Sequence, residues 1–234
     1  MLHTSGPSLP YHVVAGVVPC RDGWLLASCK IAGVTLSLED PIYFPKFAEV
    51  LDYRPSFEVI GVHAPIGYLD EPVPGGRTCD KDARALLGAR RGAAIRSAPT
   101  RSLLNGAIDG GLDAVSGVLL PHFREIAEEV QSYRQRTVYE VEPELTFFEL
   151  KGREPLRYSK RSSLGIEERT EILSARIQDV DRVLSFRLPG VKPAKLLDAV
   201  ACMWSARRIY AKIGVRIPED PEWDSEGVRM EIVC

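Results

Sequence analysis

"HVVAGVVPCRDGWLLASCKIAGVTLSL", residues His12 to Leu38, decides the fold. Its start, "YHVVAGVV", stays apolar from about His12 to Val18, which predicts a buried strand. Pro19 to Gly23 is turn-like, "WLLASCKI" resumes as a second strand, and "GVTLSL" after Gly33 gives a third. Strands this short, joined this tightly, form an antiparallel meander. Downstream, the pattern alternates. A helix is predicted over Pro45–Tyr53, and then "FEVIGVHA" is apolar enough to be a strand buried on both faces. A meander followed by helix–strand alternation implies an α/β domain with a mixed sheet flanked by helices.

Outward from there, Leu119, Phe123, Ile126, Val130 and Tyr133 recur at alternating spacings of four and three, as on one helix face. "TVYEVEP" reads as a fifth strand stopped by Pro143. A polar loop, "GREPLRYSKRSSLGIEER", leads into a helix ending near Ile177. The last clear helix runs from Pro193 to Ile209, with proline suited to its first turn, and "RMEIV" closes the chain as a strand. The 234 residues suit one domain, with a flexible lead over 1–11 and a basic, glycine-rich insertion over 72–111 that holds a short helix near Asp80–Leu87. Insertions of this length inside a compact domain are usually functional or mobile.

Net charge is −2, so bulk electrostatics select no partner. Its distribution is uneven: Arg77 to Arg101 holds seven Lys/Arg and two Asp, a local +5 that leaves −7 elsewhere. Arginine forks suit phosphate oxygens, so this segment is a candidate nucleic-acid surface, against the commoner alternative of a solvated basic face. No aromatics interleave to stack bases. The five cysteines show neither C-x-x-C pairs nor zinc spacing, and an odd, scattered set fits a reducing cytoplasm. No signal peptide and no membrane span are expected.

Two places can carry acid chemistry. Alternation along "TVYEVEP" puts Glu140 and Glu142 on one strand face, about 7 Å apart by strand rise. Such a pair can share a hard cation, or simply face solvent. In "PAKLLDAVACMWSARRI", Leu197, Val200, Ala201 and Trp204 form an apolar stripe. Asp198 shares the adjoining face with the small residues Ala201, Cys202 and Ser205, which would let the helix lie close on the sheet. A carboxylate at such a contact is costly unless paired, hydrogen-bonded or metal-bound. His63, ending the strand "VIGV", is the third candidate.

Five stretches, in order, carry a resemblance: "VAGVVPCRDGWLLA"; "VHAPIGYLDEPVPGGRTCDKDARALLGARR" with "SAPTR"; "VYEVEPELTFFELKG"; "YSKRSSLGIEERTEIL"; and "LLDAVACMWSARRI" with "GVRMEIV". Together they resemble, over roughly His12 to Val233, a family of predicted ribonuclease H-like nucleases formerly of unknown function. The resemblance implies a ribonuclease H-like mixed sheet, with carboxylates holding two Mg²⁺ or Mn²⁺ ions that cleave phosphodiesters. It implies Glu140, Asp198, His63 and Glu142 as catalytic and metal positions. Arg77, Asp80, Arg84, Arg91, Arg101 and Lys160 are the substrate-binding positions.

The chain departs from that pattern. Val18 and His63 stand where the family places aspartates, and Glu142 stands where it places histidine, whereas Glu140 and Asp198 match. Two negative charges are thereby lost, with Asp22 and Glu142 the candidates to compensate. Imidazole is also a poor Mg²⁺ ligand, and it suits Mn²⁺ or Zn²⁺ better. The expected function is metal-dependent hydrolysis of nucleic acid at an altered site whose activity these substitutions threaten. The alternative is a catalytically silent relative that binds nucleic acid, a nucleotide or a protein. A metal-free hydrolase using His63 with Glu142 or Asp198 ranks last, for want of a nucleophile.

Overall fold

The computed structural model describes residues 10–106 and 114–234. Most of the 1–11 lead and the end of the 72–111 insertion fall outside them. β1 (His12–Cys20), β2 (Gly23–Ala32) and β3 (Thr35–Leu38) form the expected meander, antiparallel throughout. β4 (Ile42–Phe44), a strand the sequence reading did not separate, shares the outer edge of β2 with β3. After α1 (Phe47–Asp52) comes β5 (Val59–Val62), parallel to β1 and buried at every position, as its apolar run predicts.

The insertion then contributes α2 (Thr78–Arg91), with a break at Gly88, and α3 (Arg101–Leu104). α4 (Ala114–Glu129) leads to β6 (Val138–Glu140), parallel to β5. The main sheet therefore runs β3-β2-β1-β5-β6, with β4 off that path. α5 (Pro143–Leu150), α6 (Ser163–Ser174), α7 (Val180–Leu184) and α8 (Pro193–Tyr210) follow. β7 (Arg216–Trp223) and β8 (Arg229–Val233) form a separate two-stranded sheet.

Period-two alternation in β1 builds two cores. Val13, Ala15 and Val17 pack with Trp24, Phe47 and Ile126 on one face; Val14, Val18 and Cys20 pack with Leu197, Val200 and Met203 on the other. Gly16 and Gly61 are register partners in the middle of the second face. A Cβ on Gly16 would overlap the backbone of Ala199 and Met203, and one on Gly61 would lie 2.8 Å from the Cys202 carbonyl oxygen. α8 therefore rests directly on the parallel strands, as its small residues predict. Its N-terminal half reaches the carboxyl end of β1, where the charge of Lys195 is felt by Cys20. Among the described residues, no helix is long and apolar enough to cross a membrane.

Candidate functional site

The carboxyl ends of parallel strands are where open α/β sheets place ligands. Here β5 and β6 end together beside Val17 of β1, and α8 packs on β1 and β5. His63 directly follows β5, and its N–H donates to the Val17 carbonyl at 2.8 Å. Its Nε2 stands 3.2 Å from Glu142 Oε2, with both side chains partly exposed. Glu142 is not on β6. The strand ends at Glu140, Pro143 takes the first turn of α5, and Glu142 becomes that helix's N-cap, accepting from the Glu144 N–H at 3.3 Å. The backbone turn separates the two glutamates that strand alternation puts on one face.

Asp198 is 1% exposed on α8, and its Oδ2 accepts from Lys160 Nζ at 2.7 Å. Its Oδ1 is buried without a protein partner. Burial works against the Lys160 ammonium, but Asp198 and then Glu142 outweigh it and raise its pKa. The pKa of Lys195, one turn before Asp198, is lowered by burial and by Lys160, against the pull of Asp198. Burial raises the Cys202 thiol strongly, helped by Asp198 and Glu142, so it stays protonated. His63, Glu142, Lys160, Lys195 and Asp198 thus form one electrostatically coupled cluster at the strand-end crevice.

Glu140 belongs to a different network. Arg77 Nη1 donates to Glu140 Oε2 at 2.8 Å and Nη2 to Oε1 at 2.6 Å, and the Ile66 N–H donates to Oε2 at 2.6 Å. The same guanidinium reaches Asp80 through Nη2 at 2.7 Å and Nε at 3.2 Å, and the carbonyls of Ile66 and Gly67 through Nη1. Asp80 also accepts from the backbone of Arg77 and Ala98. Burial pushes the Glu140 carboxyl up to about 7, against the opposing pull of Arg77. Buried charges survive only when paired and hydrogen-bonded in this way. The network ties α2 and the turn after β5 to β6.

The other basic candidates are largely spent inside the protein. Arg84 donates to Gly75, Ile95 and Ser97 rather than pairing with Asp80. Arg91 meets Glu144 at 2.6 Å, and buried Arg169 meets the same carboxylate at 2.5 Å. Arg101 is ringed by Asp224 at 2.6 Å, Glu226 at 2.7 Å and Asp70 at 3.4 Å. Asp22 is exposed in the β1–β2 turn, and Val18 is fully buried in the core. The sequence reading missed the buried pair Glu144–Arg169 and the role of Arg77 as partner to Glu140. The dense arginines of 77–101 hinted only at the second.

A family model described as "Protein of unknown function (DUF429)" matches residues 16–223, from the middle of β1 to the end of β7. The chain belongs to the DUF429 family. No curated protein and no solved structure matches it. The match to DUF429 covers the whole crevice and the Arg77 network.

The divalent ions that a ribonuclease H-like centre implies do not fit this DUF429 protein. Glu140 already accepts three donors, Asp198 Oδ2 is held by Lys160, and Val18 offers no ligand. Among the described residues, no three His, Cys, Asp or Glu side chains form a group that could hold a metal. His63 Nε2 faces Glu142, and its Nδ1 is buried with no protein partner.

Proposed function

We propose that this DUF429 protein is a catalytically silent relative of ribonuclease H-like nucleases that binds nucleic acid around the crevice and does not cleave it. The observation that carries this reading is the double neutralisation of the matching acids: Arg77 on Glu140 and Lys160 on Asp198. A two-ion centre needs carboxylates free to ligate, and here protein cations hold both. The meander followed by parallel β1, β5 and β6 supports the ribonuclease H-like build, with α8 delivering Asp198 as the resemblance implies. Beside Lys160, Arg90, Arg157 and Arg161 are exposed, and Arg90 Nη2 donates to the Arg157 carbonyl, which brings the insertion to this loop. This rim supports phosphate contact better than the 77–101 segment as a whole.

Anisotropy of a labelled single-stranded oligonucleotide tests it. Binding is expected to weaken steeply with added salt, because phosphate contacts release counterions, and gel assays with Mg²⁺ or Mn²⁺ are expected to show intact oligonucleotide. Salt-insensitive binding, or metal-dependent cleavage, would overturn the reading. One observation favours a second reading, a single-ion phosphodiesterase centred on Asp198: its Oδ1 is buried and unpartnered. On that reading, wild-type protein cleaves with Mn²⁺, and Asp198→Ala abolishes cleavage.

A further inference from the structure

The crevice sets a protein cation against its acids. We infer that Lys160 is the resident cation of the crevice: its tethered ammonium balances Asp198 and Glu142 and keeps hydrated divalent ions out. The inference rests on the silent reading above and names the device that enforces it.

Geometry places Lys160 where a shared cation would stand. Its Nζ is 2.7 Å from Asp198 Oδ2. Glu142 is the next carboxylate to act on it. Mg²⁺ and Mn²⁺ need no protein cage, since one or two carboxylates with several waters suffice. Asp198 and Glu142 both act on the Lys160 ammonium, and Asp198 Oδ1 still lacks a partner. A second cation beside the ammonium would meet unit repulsion at close range in a partly dry site.

The loop bearing Lys160 is held too firmly for the side chain to be a casual contact. Glu168 accepts from the backbone N–H groups of Arg157 and Tyr158 and from Lys151 Nζ. Arg169, fully buried, donates to the Tyr158 carbonyl at 3.2 Å. Ser162 returns to the Ser159 carbonyl, and Gly165 lies so close to that carbonyl that a Cβ would overlap it. The ammonium is thereby presented to Asp198 by a preorganised loop, in the way a bound ion is presented by its ligands.

Manganese titration, followed by thermal unfolding and by the paramagnetic signal of free Mn²⁺, tests the inference without any activity assay. Wild type and Lys160→Arg are expected to show no Mn²⁺-dependent rise in Tm. Lys160→Met is expected to bind Mn²⁺ at least about tenfold more tightly than wild type, since a repelling unit charge has gone. The double variant Lys160→Met/Asp198→Asn is expected to lose that gain. Circular dichroism establishes that each variant is folded, and Lys160→Gln replaces Lys160→Met if the latter is not. A folded Lys160→Met or Lys160→Gln variant that takes up no more Mn²⁺ than wild type overturns the inference and leaves the silent reading standing. Strong Mn²⁺ binding by wild type itself overturns both.

Discussion

Arg77 and Glu140, 63 residues apart in sequence, meet as a buried two-point ion pair at 2.6 and 2.8 Å. The guanidinium is 2% exposed and the carboxylate 7%. Asp80 shares the same guanidinium, so one arginine neutralises two buried acids.

Removing Arg77 strands both acids. Arg77→Met is expected to cost about 3–5 kcal/mol, the usual penalty for breaking a buried pair from one side. Arg77→Lys keeps the charge but loses the planar fork, and recovers only part of it. Urea unfolding midpoints for the three proteins give the comparison. A loss of less than about 1 kcal/mol in Arg77→Met would show that the network contributes little net stability.

Glu140 makes stability depend on pH. Its folded-state pKa of about 7 lies above the ordinary 4.5, because burial disfavours the carboxylate. The folded state therefore holds the proton more tightly than the unfolded chain. The stabilisation from this group is full below about pH 4.5 and is lost as pH rises towards 7. Unfolding free energies for wild type minus Glu140→Gln are expected to decline across that window. A flat difference would mean that the Arg77 pair holds the carboxylate ionised throughout.

His63→Asp restores the acid that the family resemblance places at the end of β5. The new carboxylate would face Glu142, whose Oε2 now lies 3.2 Å from His63 Nε2. Like charges this close are expected to lower stability by on the order of 1 kcal/mol or more at low salt, with partial recovery as salt rises. Chemical unfolding at two ionic strengths measures both. An unchanged midpoint would show that Lys160 and solvent already absorb the extra charge.

Gly16→Ala tests the seat of α8. Its methyl group would overlap the helix backbone at Ala199 and Met203, and backbone cannot rotate away as a side chain can. The expected loss is at least about 1–3 kcal/mol, the ordinary cost of overpacking, or several degrees in Tm for a chain of this size. Gly33→Ala, at an open hairpin position with φ 59°, serves as the control for strain alone. Equal losses in the two variants would remove the special standing of Gly16.

The legible parts of the fold are those with a clean period. The β1–β3 meander and α8 announce themselves through apolar runs, turn residues and a stripe at helical spacing. α5 does not, because all but one of its eight residues are buried, which leaves no polar face to set a period. Pro143, read as a stop, is in fact that helix's first residue. β7, "RIPEDPEW", carries two prolines and four charges, a composition that argues against a strand. α7 and β4 are too short to show a period.

At the crevice, residue types were legible and partnerships were not. His63, Glu142 and Asp198 could each be singled out from their stretches, and Lys160 entered through the family resemblance. That Lys160 grips Asp198 from 38 positions away is a tertiary fact. The arginines of 77–101 were read as an outward surface, because sequence shows charge without showing the acid opposite. Arg77, Arg91 and Arg101 each turn out to face a carboxylate.

The close seat of α8 on Gly16 also bears on how the chain is made. The contact joins residue 16 to residues 199–203, so the face of β1 carrying Val14 and Val18 lacks its α8 cover until about 180 further residues have been made. Pairings this distant in sequence slow folding and expose apolar surface to other chains meanwhile. Truncations that stop before α8 should consequently aggregate during synthesis, however well the meander forms.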